Sequence, residues 1–174
     1  LMTQKDFEDL LKPTTLDDNV INTAQAILRD QFGRVGGLQD PLLGQCNEFR
    51  KQDKFIQILH VPGHWLTVTN YGAPNNTVFL LDSIGGISDS AVSQLWRILG
   101  QGIEMVTIES KPVQAQENGY DCGLFAIAHA FCIAAGRDPC SYKFDKNAMR
   151  AHVLQCIREN EFFDLPYTTA FVLR

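Results

Sequence analysis

Several large classes of protein are excluded by what this chain lacks. No apolar run approaches the ~18 residues of a membrane span, and the first twenty residues have no basic-then-apolar layout of a secretory signal. There is no block of consecutive lysines or arginines, and 15 basic against 20 acidic residues leave a net charge of −5. That balance argues against a nucleic-acid footprint and suits a partner with a basic surface. Internal repeats and low-complexity tracts are absent too. A soluble, intracellular protein, cytoplasmic or nuclear, is the expectation. The opening Leu1-Met2 reads as the start of a piece excised from a longer protein or tagged.

Cysteine is present without a framework. Cys46, Cys122, Cys132, Cys140 and Cys156 are odd in number and have no paired short spacings, which fits a reducing compartment better than a disulfide scaffold. His60 and His64 have the spacing of a metal-binding helix, yet Val61-Pro62-Gly63 between them breaks any helix that would align the rings. No metal and no cofactor is therefore expected.

What is present is one chain, residues 1–174, with 45% hydrophobic residues, enough for one core and few for two. Residues 6–12 read as a short helix ended by Pro13. Asp17 or Asp18 caps a longer one carrying Val20, Ile21, Ala24, Ile27, Leu28 and Phe32 inward, with Gly33 as its stop. The glycine-rich 33–46 reads as an exposed loop. Strands are expected at 54–61, 64–71, 77–82 and 103–109, with a helix at 88–99 capped by Ser88 or Asp89. Residues 121–135 are apolar all round, the mark of a buried central helix closed by Gly136, and 147–160 form a last amphipathic helix. The layout is α+β, a mainly antiparallel sheet flanked by helices.

The most informative stretch is Asn118-Gly119-Tyr120-Asp121-Cys122-Gly123, which runs straight into that buried helix. The free N–H groups and positive dipole end of a helix start stabilise a thiolate, and the thiolate is the nucleophile. A base and an orienting acid are available. The turn Gly72-Ala73-Pro74-Asn75-Asn76 joins strands 64–71 and 77–82, and pairing Tyr71 with Thr77 makes paired positions sum to 148. His64 and Asp82 then become diagonal neighbours on one sheet face, within reach of an imidazole–carboxylate hydrogen bond. In that arrangement His64 takes the thiol proton, Asp82 fixes the tautomer, and Cys122 attacks a carbonyl. Gln116, six residues before the cysteine, offers an amide to the oxyanion beside the Cys122 backbone N–H. The scheme requires the three groups to meet in a crevice that solvent reaches.

The order His64-Trp65, Asp82-Ser83, Gln116-Glu117-Asn118-Gly119-Tyr120-Asp121-Cys122-Gly123, preceded by Leu16-Asp17-Asp18-Asn19-Val20-Ile21-Asn22, resembles the ubiquitin-like-protein-specific proteases. These are the SUMO-protease class of papain-like cysteine peptidases, and the likeness spans roughly Thr15 to Asn160. It implies a papain-like fold and a cysteine protease or isopeptidase that cuts after the Gly-Gly tail of SUMO, ubiquitin or a related modifier. It also implies Cys122 as nucleophile, His64 as base, Asp82 as orienting acid and Gln116 as oxyanion donor. Trp65 would roof a channel that admits only glycines, and Asp18 would meet an arginine of the modifier's tail. Thr15 stands where family members usually carry a tryptophan that helps to close the channel.

Other readings apply residue by residue. Cys132 and Cys156 suit small core positions, Cys140 an inert loop thiol, His129 a satisfied core histidine, and Trp96 the core. Two further functions stay open: an acetyltransferase using the same triad, which needs a basic phosphate-binding surface, and a modifier-binding module with weak turnover.

Overall fold

The computed structural model describes residues 2–169. Thr3 opens helix α1 (Gln4–Leu10) with a capping box, its Oγ1 accepting the Asp6 N–H at 3.2 Å while the Asp6 carboxylate accepts the Thr3 N–H at 2.6 Å. The reciprocal cap sets the start two residues before the expected bound, and the helix ends at Leu10, also two residues early. Asp17 caps α2 (Asp18–Gln31) through the Val20 N–H at 3.1 Å.

The glycine-rich stretch is not simply an exposed loop. Leu38 is fully buried, Gly37 bridges Ile56, and Asp40 with Pro41 starts the short helix α3 (Pro41–Gln45). Pro at the first helical position needs no N–H partner, and Asp40 Oδ1 accepts the Leu42 N–H at 3.0 Å. Glycine composition hides both the cap and the buried leucine.

Strands β1 (Ile56–Val61), β2 (His64–Thr69) and β3 (Thr77–Leu81) form an antiparallel meander, and β4 (Thr107–Ser110) adds to β3 in parallel. The β2–β3 register pairs Thr67 with Leu81, Val68 with Leu80 and Thr69 with Phe79, the register read from the turn. The strand expected at 103–109 begins only at Thr107. A second, two-stranded sheet, β5 (Tyr142–Phe144) with β6 (Tyr167–Thr169), is not legible in the sequence.

Helix α4 (Asp89–Leu99), capped by Ser88, packs Ala91, Leu95 and Ile98 with Leu59, Leu66 and Leu80 of the sheet. Helix α5 (Cys122–Ala134) packs with α2, with α6 (Lys146–Glu159) and with Ile58 and Trp65 of the sheet. With a separate apolar cluster for each helix, residues of both strand faces are buried, which is why every residue of β2 after His64 is buried, the threonines included. Trp96, expected in the core, is 37% exposed because it falls off the Ala91–Leu95–Ile98 stripe of α4. Gln94 takes the buried place, donating to His60 O at 2.8 Å. Among the described residues, no helix is long and apolar enough to cross a membrane.

Candidate active site

Strand direction gathers the chemistry at one end of the sheet. β2 and β3 run antiparallel, so the first residue of β2, His64, lies beside Asp82, the residue after β3. β4 runs parallel to β3, so the segment leaving it also emerges there. The Lys111 N–H donates to Leu80 O at 2.9 Å and the Gln116 N–H to Ser83 O at 2.8 Å. Helix α5 is tied to the sheet by Thr67 Oγ1 donating to Ala126 O at 2.7 Å, one turn beyond Cys122.

His64 Nε2 and Asp82 Oδ1 are 2.6 Å apart, with side chains 13% and 5% exposed. Burial opposes a charged imidazole, but the Asp82 bond, Cys122 and the charges of both groups outweigh it and raise the His64 pKa to about 9. Burial would likewise raise Asp82, yet the His64 bond and the Ile84 and Gly85 backbone N–H groups hold it below the usual carboxylate range. With Nε2 taken by Asp82, Nδ1 is the nitrogen left for the thiol. Nδ1 is buried and completes no hydrogen bond at rest.

Gln116 is oriented rather than free. Its Oε1 accepts from Ser83 Oγ at 2.5 Å, which turns the amide nitrogen outward as a donor, and one of that nitrogen's protons goes to Asn118 O at 2.5 Å. Neither of these bonds uses that nitrogen's second proton. Gln116→Ala is expected to lower kcat on the order of 10²-fold with KM little changed, measured on a Gly-Gly-linked modifier reporter. Ser83→Ala, which frees the amide to rotate, should lose a smaller part of the same effect.

The crevice differs from expectation. Cys122 is 1% exposed and Trp65 2% exposed, so solvent does not reach the sulfur at rest. Leu16 packs beside it. Its carbonyl accepts the Trp65 Nε1–H at 2.9 Å, and its side chain lies so close to Gly123 that any Cβ there would sit 3.1 Å from it. The Trp65 ring also stacks on His60, centroids 4.2 Å apart at 24°. Asp18, half-buried at the start of α2, acts by its charge on that same His60. Thr15 is exposed on the rim of a cavity of about 390 Å³ shared with Lys5, Asp9, Leu10 and Val20.

The motif's other members prove to be its scaffold. Asn118 Oδ1 accepts the N–H groups of Tyr120 and Asp121 at 3.0 and 2.9 Å, and its Nδ2 donates to Asp121 Oδ2 at 2.7 Å. The Asn-x-x-Asp spacing carries that signal. Arg150, on α6, reaches Asp121 Oδ1 at 3.0 Å, a contact nothing in the sequence announces.

The remaining candidates fall away from the site. Cys132 and Cys156 are buried, and burial pushes Cys132 up to about 12 and raises Cys156. Cys140, half-buried in the turn Pro139–Ser141, is raised by burial to about 11. His60 faces Gln45 and Trp65, and no group of three His, Cys, Asp or Glu suited to a metal occurs among the described residues.

His129 takes the core place expected of it, fully buried near Phe125 and Phe144, with the Leu81 backbone as the polar group acting on its ring although neither ring nitrogen completes a well-aligned hydrogen bond. Burial lowers its pKa to about 4. Since 4 lies below the ordinary 6.5, the unfolded chain binds the proton first, so stability falls as pH drops from 6.5 towards 4. His129→Leu should remove that slope, worth a few kcal/mol, as read by urea midpoints at pH 5 and pH 8.

No protein-family model matches the sequence. Comparison with solved structures gives matches over most of the chain. The C-terminal Ulp1 protease domain in complex with Smt3, the yeast ortholog of SUMO, matches with a TM-score of 0.69 at 17% identity, over 91% of this chain and 83% of that one. The chain has the SUMO-protease fold. The Chaetomium thermophilum Ulp1-like SUMO protease catalytic domain matches at TM-score 0.53 and 24% identity, over 86% and 72% of the two chains. The Xanthomonas campestris effector XopD bound to ubiquitin matches at 0.53 and 16%, over 82% and 91%.

Proposed function

We propose that this chain is a cysteine protease of the ubiquitin-like-protein-specific family that cleaves after the Gly-Gly tail of SUMO, ubiquitin or a related modifier. The observation that carries it is one imidazole held by Asp82 at 2.6 Å and made more basic by both Asp82 and Cys122, the first residue of a buried helix. Two fold relatives were solved with Smt3 and with ubiquitin, which supports a modifier as the partner. In this reading His64 Nδ1 takes the Cys122 proton, Asp82 holds the imidazolium, and the thiolate attacks the glycine carbonyl. The oxyanion meets the Gln116 amide and the Cys122 N–H. His64 then returns its proton to the leaving amine, and water releases the tail.

Trp65 and Leu16 form the wall the tail must pass. Their contact has to part for the sulfur to be reached, and glycine, having no side chain, asks for the smallest opening. In this reading Asp18 meets an arginine in the tail. Thr15, with no ring to lay over the tail, leaves modifier choice to the wider surface.

A panel of modifier reporters tests the reading: cleavage of at least one at substoichiometric enzyme is expected. Binding without turnover on every member would favour a modifier-binding module. Acceptor-dependent transfer from labelled acetyl-coenzyme A, read by intact mass, would favour the acetyltransferase.

A further inference from the structure

Asp121 occupies the N-cap position of α5 but makes no side-chain bond to the helix, its backbone at φ −90° and ψ 4° lying outside the extended region from which a side chain caps. An aspartate there ordinarily accepts the N–H of the second or third helical residue and lays its charge against the positive dipole end. Here both oxygens are taken elsewhere, Oδ1 by Arg150 Nη2 at 3.0 Å and Oδ2 by Asn118 Nδ2 at 2.7 Å. The ion pair is sheltered, its side chains 12% and 8% exposed.

Arg150 is itself held from several sides. Nη1 donates to Leu10 O at 3.1 Å, Nη2 to Thr14 O at 2.8 Å, and the guanidinium carbon lies 5.7 Å from the Tyr120 ring centroid. A planar fork with five donors can satisfy these directions together; an ammonium cannot. The neighbouring cation Lys146 is paired with Glu117.

We propose that Arg150 is a positioning residue that acts through Asp121. It offsets that carboxylate's charge one residue before Cys122, so that the helix N–H groups and dipole serve the Cys122 thiolate and the oxyanion. The inference rests on Cys122 being the nucleophile. Without Arg150 the carboxylate is left without its cation, and its negative charge beside the sulfur opposes the thiolate. Arg150 also fixes Thr14, one residue before the Thr15-Leu16 wall, so the nucleophile loop and the wall share one anchor.

The test is the ultraviolet absorbance of the thiolate against pH in the full chain, as the difference from Cys122→Ala. Arg150→Gln is expected to move the titration to higher pH and to cut the thiolate fraction at pH 7 on the order of tenfold. Adding Asp121→Asn, whose amide brings no charge to the helix end, is expected to restore most of the loss. A titration unmoved by Arg150→Gln, or moved and not restored by Asp121→Asn, overturns the proposal, since a merely structural arginine would show one or the other. Should Arg150→Gln not fold, Arg150→Lys, which keeps the charge but loses the fork, is expected to give a smaller shift in the same direction, again restored by Asp121→Asn. The readout needs no modifier. A parent chain that titrates as described but cleaves no reporter would contradict the protease reading alone.

Discussion

Asp82→Asn is expected to lower kcat/KM for a Gly-Gly-linked reporter by on the order of 10³–10⁴-fold while leaving KM nearly unchanged. The carboxylate accepts from His64 Nε2 at 2.6 Å, from the Ile84 N–H at 2.9 Å and from the Gly85 backbone N–H. An amide has only one oxygen to offer. Turned one way, its NH₂ meets the Gly85 N–H. Turned the other, it donates to Nε2 and forces the imidazole proton onto Nδ1, the nitrogen that must accept from the thiol. Either orientation removes the charge that helps to hold the His64 pKa near 9. Asp82 does not line the Leu16–Trp65 wall, so binding of the tail should survive. A loss below tenfold would show that the imidazole needs no carboxylate here.

Trp65→Ala is expected to cost about 3–5 kcal/mol of stability, a large share of what a domain this size has to spare. The ring is 2% exposed, stacks on His60 and donates to Leu16 O. Trp65→Phe keeps most of the volume but leaves that carbonyl without its donor, and should cost about 1–3 kcal/mol. Both variants release Leu16, which packs on Gly123 beside the nucleophile. Alkylation of Cys122 by iodoacetamide should therefore speed up while modifier turnover falls. Urea midpoints with peptide-mapped alkylation check the pair. Slower alkylation in Trp65→Phe would show that the indole does not guard the sulfur.

The parts of the site that lie in one stretch of chain, or across one turn, are legible in the sequence alone. A five-residue turn sets the β2–β3 register, and with it the meeting of His64 and Asp82. The switch from polar turn to unbroken apolar run places Cys122 at a helix start. Burial of that sulfur is not legible, because the apolar cluster around it gathers residues from distant segments, Leu16 beside Gly123 among them. Arg150 is invisible for the same reason: its partners Leu10, Thr14 and Asp121 come from separate segments. Aromatic character alone assigns Trp96 to the core, whereas its helical phase carries it outward. The apolar neighbourhood of His129 gives no information about polar partners; the one that acts on the ring, the Leu81 backbone, belongs to a strand far away in the chain.

The most direct test of the central claim is covalent capture: a modifier ending in Gly with a C-terminal electrophile, incubated with the chain and read by intact mass and peptide mapping. A single adduct on Cys122, lost in Cys122→Ala and slowed in His64→Ala, is the result this arrangement of imidazole, carboxylate and thiol requires. Equal labelling of Cys122→Ala, or an adduct on the exposed Cys46 instead, would contradict it.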